Sequence, residues 1–157
     1  MSIEEKLAIH EMIARYAYAY DGQDAEGFAR VFAEDGVFEI FAPGETAPSV
    51  RLQSRREIRD WATERLRGRV GRFTSRHHQS GIVFDGLTSD SALTRTMVLV
   101  THQDVTGASS PRPTSSGVYR DQWRKTGEGW RLVHRAAHVD QGGGLTSTAA
   151  LERPGSP

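Results

Sequence analysis

Six histidines and a scatter of carboxylates are the side chains here best suited to moving protons near neutral pH. An unperturbed imidazole, with a pKa of about 6.5, is a ready general base, and a carboxylate on its second nitrogen fixes its tautomer and raises its basicity. His77 and His78 stand side by side at the start of RHHQSGIVFDG, a strand-like stretch, so they point to opposite faces and at most one can look into a cavity. His102 falls near the end of the next such stretch, SALTRTMVLVTHQDV, while His134 and His138 share parity in the last one. His138 could line a pocket there as a substrate contact. His10 lies off the apolar face of the first helical segment and reads as surface. Among the carboxylates, Asp21 is the best-placed partner for a histidine, because it ends a run of tyrosines, YAYAYD. Spacing alone favours the plainer reading, a turn residue at a helix end.

Other chemistries find less support. Zinc needs three or four ligands converging at about 2 Å. Two adjacent strand histidines cannot chelate from one face, and neither HxH nor HExxH occurs, so no metal is expected. With no cysteine, disulfides, thiolate metal sites and cysteine nucleophiles all drop out. There is no GxSxG, and the glycines of DQGGGL do not join a strand to a helix, so neither a serine nucleophile nor a nucleotide cofactor is expected. Twenty basic residues balance twenty acidic ones, which argues against nucleic acid or an anionic membrane as partner. No apolar run approaches 18 residues and no basic-then-apolar leader opens the chain, so a cytoplasmic protein acting on a small molecule is the expectation.

The elements that must position these groups follow from periodicity. Ile9, Ile13, Tyr16 and Tyr20 recur on one helical face, and Ser2 with Glu5 has capping-box spacing. The period-two look of YAYAY is therefore misleading: it is the end of a helix, with Tyr18 off the stripe. Asp24 is expected to cap a second helix, AEGFARVFAE, and GVFEIFA to form a strand. SRREIRDWATERLRGR reads as a third helix with Ile58, Trp61 and Leu66 inward. Its arginines, with Arg65, Arg67, Arg69, Arg72 and Arg76 in a run, read as a solvated face, unless a substrate bearing an acid enters beside them. Trp61, Trp123 and Trp130 read as core, and Asp35 and Asp140 as turn and strand-end residues. The remaining stretches are strand-like, with TGEG as a hairpin turn and TGASSPRPTSS as a loop. Helices first and antiparallel strands after give an α+β fold: a strongly curved mixed or antiparallel sheet forming a cone, closed by the N-terminal helices. Residues 1–141 make one domain, and residues 142–157 a low-complexity tail that is flexible or draped on a neighbour.

ARYAYAYDGQDAEGFARVFAEDGVFEI, RREIRDWA, RHHQSGIVFD and YRDQWRKTGEGWRLVHRAAHVD, in that order, resemble the SnoaL-like domains of the nuclear transport factor 2-like superfamily. The likeness spans residues 3–141 and is nearest to scytalone dehydratase and hexachlorocyclohexane dehydrochlorinase. It implies a cofactor-free acid–base enzyme with Asp21 paired to His77, the histidine five residues before Ile82, and with His102 as a second pocket histidine. Tyr20, directly before the aspartate, and Tyr16, one turn earlier, are implied as pocket tyrosines. Tyr119 stands near the place of a pocket asparagine and Ile40 replaces a wall tyrosine, so the substrate is not carried over. The implied activity is that of a lyase or isomerase, dehydratase-like, on a small oxygenated ring or polyketide-like compound. An epoxide hydrolase or polyketide cyclase, for which Asp21, Arg95 and Asp121 are available, and a non-catalytic binder are the alternatives on the same fold. The resemblance also implies self-association, as a homodimer or homotrimer.

Overall fold

The computed structural model describes residues 2–140. Helix α1 runs Ile3–Asp21, with the Ser2 hydroxyl accepting from the Glu5 amide at its start. Ile9, Ile13, Tyr16 and Tyr20 are buried along one stripe, while Tyr18 is 82% exposed, so the helical rhythm and not the local alternation decides the segment. Asp24 caps α2 (Ala25–Ala29) by accepting from the Gly27 amide at 2.8 Å. This helix is shorter than its sequence suggests. Val31, Phe32 and Ala33 are all buried, and three consecutive buried side chains do not fit one helical stripe. The chain instead enters β1 (Phe32–Phe41), where Phe32 registers with Leu132. Helix α3 (Arg55–Arg67) is capped by Ser54 and buries Ile58, Ala62 and Leu66, with Trp61 partly covered.

The sheet has six strands in the order β2-β1-β6-β5-β4-β3, where β2 is Val50–Leu52, β3 Phe73–Leu87, β4 Ser91–Asp104, β5 Arg112–Thr126 and β6 Gly129–Val139. Only β1 with β6 is parallel; the other pairs are antiparallel. The three-residue β2 was not anticipated, since its polar Arg51 and flanking Gln53 carry no strand signal. The expected loop before Val118 is also shorter. Pro113 sits inside β5 beside an irregularity in the ladder, where its missing N–H is tolerated.

The sheet curves without closing on itself. Irregularities in β1, β3, β4 and β5 bend it. At the tightest approach, a Cβ on Gly117 would stand 2.2 Å from the His138 carbonyl oxygen, so only glycine fits. Alternation then sends Ser75, His77 and Gln79 of β3, Thr94 to His102 (even numbers) of β4, and Tyr119, Asp121 and Trp123 of β5 to the inner face, under α1. Among the described residues no helix is long and apolar enough to cross a membrane. The expected tail, residues 142–157, lies outside the described residues.

Candidate active site

Helix α1 stops just past Asp21 because Gln23 takes a left-handed φ of 63°, and the Gln23 and Asp24 amides turn back onto the Tyr20 and Ala19 carbonyls at 3.1 and 2.8 Å. Alongside it runs edge strand β3, tied two turns earlier by the Gln79 side-chain amide donating to the Ile13 carbonyl at 2.9 Å. The result is a clamp on Asp21. The Ser75 hydroxyl donates to its Oδ1 at 2.7 Å, the His77 backbone N–H donates to Oδ2 at 2.7 Å, and His77 Nδ1 lies 2.6 Å from Oδ1. Both side chains are nearly buried, at 8% and 4% exposure. Burial pushes the Asp21 carboxyl up, but the bond and charge of the His77 ring, the Ser75 hydroxyl and the His77 amide outweigh it, so the net shift is downward. An ionised carboxylate only accepts, so His77 Nδ1 carries the proton, and in the neutral ring Nε2 then holds a lone pair.

Aromatic rings fix the imidazole. Tyr20 meets it edge-on at 5.2 Å between centroids and Tyr16 does so at 6.5 Å. Tyr16 in turn lies 5.7 Å from Tyr119. Burial pushes the Tyr16 phenol up to about 12 and that of Tyr119 well above its ordinary value, so both remain protonated donors near neutral pH. The Tyr119 hydroxyl is buried with no partner in the protein.

Beneath these rings lies an ion pair that spacing did not reveal. Arg135 Nε and Nη2 donate to Asp121 at 2.8 and 2.7 Å, and both side chains have zero exposure. The guanidinium carbon stands 4.0 Å from the Tyr16 ring centroid and 4.3 Å from that of Tyr119. Burial alone would lower the Arg135 pKa; the Asp121 charge and hydrogen bonds reverse it, so the group is firmly cationic. Its Nη1 also has no protein partner. A signal for this pair was available: Asp121 shares parity with Tyr119 and Trp123, which places a charge at a core position and calls for a cation opposite.

His102 faces inward directly across from Ser75 and stacks on Phe73 at 4.3 Å. Both its ring nitrogens are buried without a protein partner. Burial first, then the charges of Arg69 and His77, lower its pKa to about 4, so near neutral pH it is a neutral donor or acceptor and not an imidazolium acid. His78 points outward to Thr101. The placement of His138 in the pocket is corrected: it belongs to the opposite parity from Arg135 and Ala137, and its ring stacks on Phe41 at 4.7 Å on the outer face. The Asp21–Arg95–Asp121 array does not assemble either, because Arg95 pairs with Asp85 on that outer face and Asp121 is taken by Arg135. The arginine run is only partly solvated. Arg67 pairs with Glu64 in solvent, but Arg65 and Arg69 fold back onto aromatic rings.

A cleft of about 360 Å³ between the end of α1 and β3 reaches Asp21 and His77, and another of about 330 Å³ reaches Phe73 and His102. Among the described residues no group of three or more potential metal ligands comes together.

A bent sheet under an N-terminal helix, with buried ionisable groups between them, defines a nuclear transport factor 2-like domain. Residues 1–136 match the SnoaL-like domain, and the chain belongs to that family. Solved structures agree on the fold. A Mycobacterium tuberculosis protein of unknown function is 28% identical, with a TM-score of 0.72 over 87% of this chain and 72% of that one. A nuclear transport factor 2-like protein with a cystatin-like fold from Novosphingobium aromaticivorans is 24% identical, with a TM-score of 0.73 over 90% and 86%. A candidate scytalone dehydratase from the same organism is 25% identical, with a TM-score of 0.68 over 88% and 86%. No curated protein sequence matches.

Proposed function

We propose that this chain is a cofactor-free lyase or isomerase, dehydratase-like, acting on a small oxygenated cyclic or polyketide-like substrate. The observation that carries the proposal is the clamp on Asp21, which orients His77 and leaves Nε2 as the basic atom. The candidate scytalone dehydratase among the similar structures supports the same reading.

In the proposed step, His77 Nε2 takes a proton from a carbon beside a carbonyl. The C–H electrons move into an enolate, whose oxygen receives hydrogen bonds from the Tyr16 or Tyr119 hydroxyl above the Arg135 charge. In a dehydratase the enolate re-forms the carbonyl and expels a β-hydroxyl, which takes a proton from the His77 imidazolium and leaves as water. In an isomerase the same proton returns to a different carbon. Neutral His102, beside Ser75, can hydrogen-bond the departing oxygen. Preorganised donors in a nearly dry site stabilise the developing charge more than water would. Self-association as a dimer or trimer belongs to the same reading, since the outer face exposes Val83, Leu93, Met97 and Leu99.

The test is a panel of cyclic ketones and β-hydroxy ketones in deuterated water. Proton–deuteron exchange is followed by NMR and enone formation by ultraviolet absorbance. Wild type should process at least one class, and His77→Gln should slow it by about 10²–10⁴-fold. Turnover of His77→Gln within a few-fold of wild type would remove the assignment.

A further inference from the structure

The cleft of about 330 Å³ that reaches Phe73 and His102 is also lined by Arg72 and Arg112. Among the described residues neither of these guanidinium groups has a hydrogen bond, an ion pair or a ring contact. Their neighbours do: Arg67 pairs with Glu64, and Arg76 donates to the Ser75 carbonyl at 2.7 Å. Local geometry brings the two free cations together. Gly71 takes a left-handed φ of 71°, which turns the chain from α3 into β3 and delivers Arg72 to the cleft. Across the sheet, the irregularity between Val100 and Thr101 skips Thr114 in the ladder. One extra residue sends the next side chain to the other face, so Arg112 stands directly opposite His102 and on its face.

Ser75, His102 and Arg112 therefore form one row across β3, β4 and β5. Neighbouring strands lie about 4.8 Å apart, so the Arg112 backbone is about 10 Å from that of Ser75, which holds Asp21. His102, between them, is neutral near neutral pH and adds no charge. Asp104 is the one carboxylate lining the cleft, and its oxygens are already taken. One accepts from the Thr106 amide and hydroxyl, the other from the Ser109 amide and hydroxyl. The Ser109 and Thr106 hydroxyls hold its pKa down at about 2, so it stays ionised without turning to either arginine. Two guanidinium charges and one carboxylate charge leave the lining with a single net positive charge, which suits a monoanion better than a phosphate dianion. A guanidinium fork matches a carboxylate in two parallel hydrogen bonds, which a neutral amide or ketone cannot reproduce.

We propose that this cleft binds the carboxylate of a small organic acid, held by Arg72 and Arg112 beside the stacked His102 and Phe73 rings. For the identity of that acid the inference rests on the acid–base reading: the carboxylate belongs to the substrate, at the end away from the carbon that meets His77. The row from Arg112 to Ser75 then sets the span between the anchored acid and the Asp21–His77 pair. The binding itself is testable without any turnover.

The experiment is an NMR titration of the imidazole-labelled full chain with benzoate, its neutral isostere benzamide, and inorganic phosphate. It is run on wild type, Arg72→Gln, Arg112→Gln, the double variant, and Arg67→Gln as a surface control. Both cleft arginines are exposed, so their removal should not disturb folding. Benzoate should shift the His102 ring resonances and bind more tightly than either other probe. Each single substitution should weaken benzoate roughly three- to tenfold, between the worth of an exposed ion pair and that of a charge-assisted hydrogen bond. The double variant should bind it no better than benzamide, and Arg67→Gln should change nothing. Equal affinity for benzoate and benzamide, tighter binding of phosphate, or His102 shifts that survive the double substitution would overturn the proposal. So would the absence of any shift at the highest soluble benzoate concentration. Turnover separates this inference from the one it rests on. In the double variant, KM should rise for carboxylated members of the ketone panel alone, with kcat kept. An unmoved KM for those acids, with turnover that still depends on His77, would remove the substrate's carboxylate as the occupant and leave the acid–base reading intact. Arginine-dependent benzoate binding, with wild-type turnover in His77→Gln, would remove the acid–base reading alone.

Discussion

Asp21→Asn is the substitution that most sharply separates a positioned base from a merely buried polar pair. Three donors converge on the carboxylate: the Ser75 hydroxyl, the His77 amide and His77 Nδ1. Asparagine keeps one acceptor oxygen and turns an NH₂ toward a donor, so one or two hydrogen bonds to a charged group are lost. At about 1.5–3 kcal/mol each, moderated by rotation of the Ser75 hydroxyl, this should lower stability by about 2–4 kcal/mol. To meet the new NH₂, the imidazole must move its proton from Nδ1 to Nε2, and the lone pair that would take the substrate proton disappears. Turnover should then fall about 10²–10⁴-fold, the worth of one general base. KM should change little, because both Asp21 carboxylate oxygens are already engaged by Ser75 and His77. Urea unfolding reads the first effect, and deuterium exchange into the substrate identified by the panel reads the second. A variant that keeps kcat within threefold of wild type, while His77→Gln is inactive, would refute the orienting role of Asp21.

Three further outcomes follow from the same geometry. The folded-state pKa of His102, about 4, lies below its ordinary 6.5. The unfolded chain therefore binds the proton first, and the stability it provides is complete above pH 6.5 and lost as pH falls to 4. The full shift would be worth about 3 kcal/mol; partial solvent access reduces this to on the order of 1–2. His102→Leu should flatten the urea midpoint across that window, and an unchanged pH slope would count against a buried neutral ring. Asp121→Asn should destabilise by about 3–5 kcal/mol by leaving the Arg135 charge uncompensated, while Asp121→Leu with Arg135→Met should regain much of it; a single-variant loss below about 1 kcal/mol would contradict full burial of the pair. His138→Ala, on the outer face, should leave kcat and KM within a factor of two, and a large loss would place that residue in the pocket after all.

Much of the scaffold was legible because its signals are local. The Ile9–Ile13–Tyr16–Tyr20 stripe, the Ser2 and Asp24 caps and the TGEG turn each depend on neighbours in sequence, and each has its expected structure. What resisted reading depends on contacts distant in sequence. The second helix stops early because Phe32 pairs with Leu132, a partner that no local pattern reveals. His138 shares parity with His134, as expected, but parity does not say which face of the sheet is inner. Arg65 and Arg69 looked solvated because a composition of arginines does not show aromatic rings arriving from α1 and β3. The pairing of Asp21 with His77 spans 56 positions and came from resemblance; from spacing alone Asp21 remained a turn residue.

The most direct measurement is the protonation pattern of the His77 ring, read by ¹⁵N NMR on imidazole-labelled protein near neutral pH, with no need for a substrate. The proton should be found on Nδ1, facing Asp21, with Nε2 bare, and the pattern should be reversed in Asp21→Asn. A wild-type ring protonated on Nε2 would contradict it, since its lone pair would then lie on Nδ1, against Asp21, and not on the nitrogen free to take a proton from substrate.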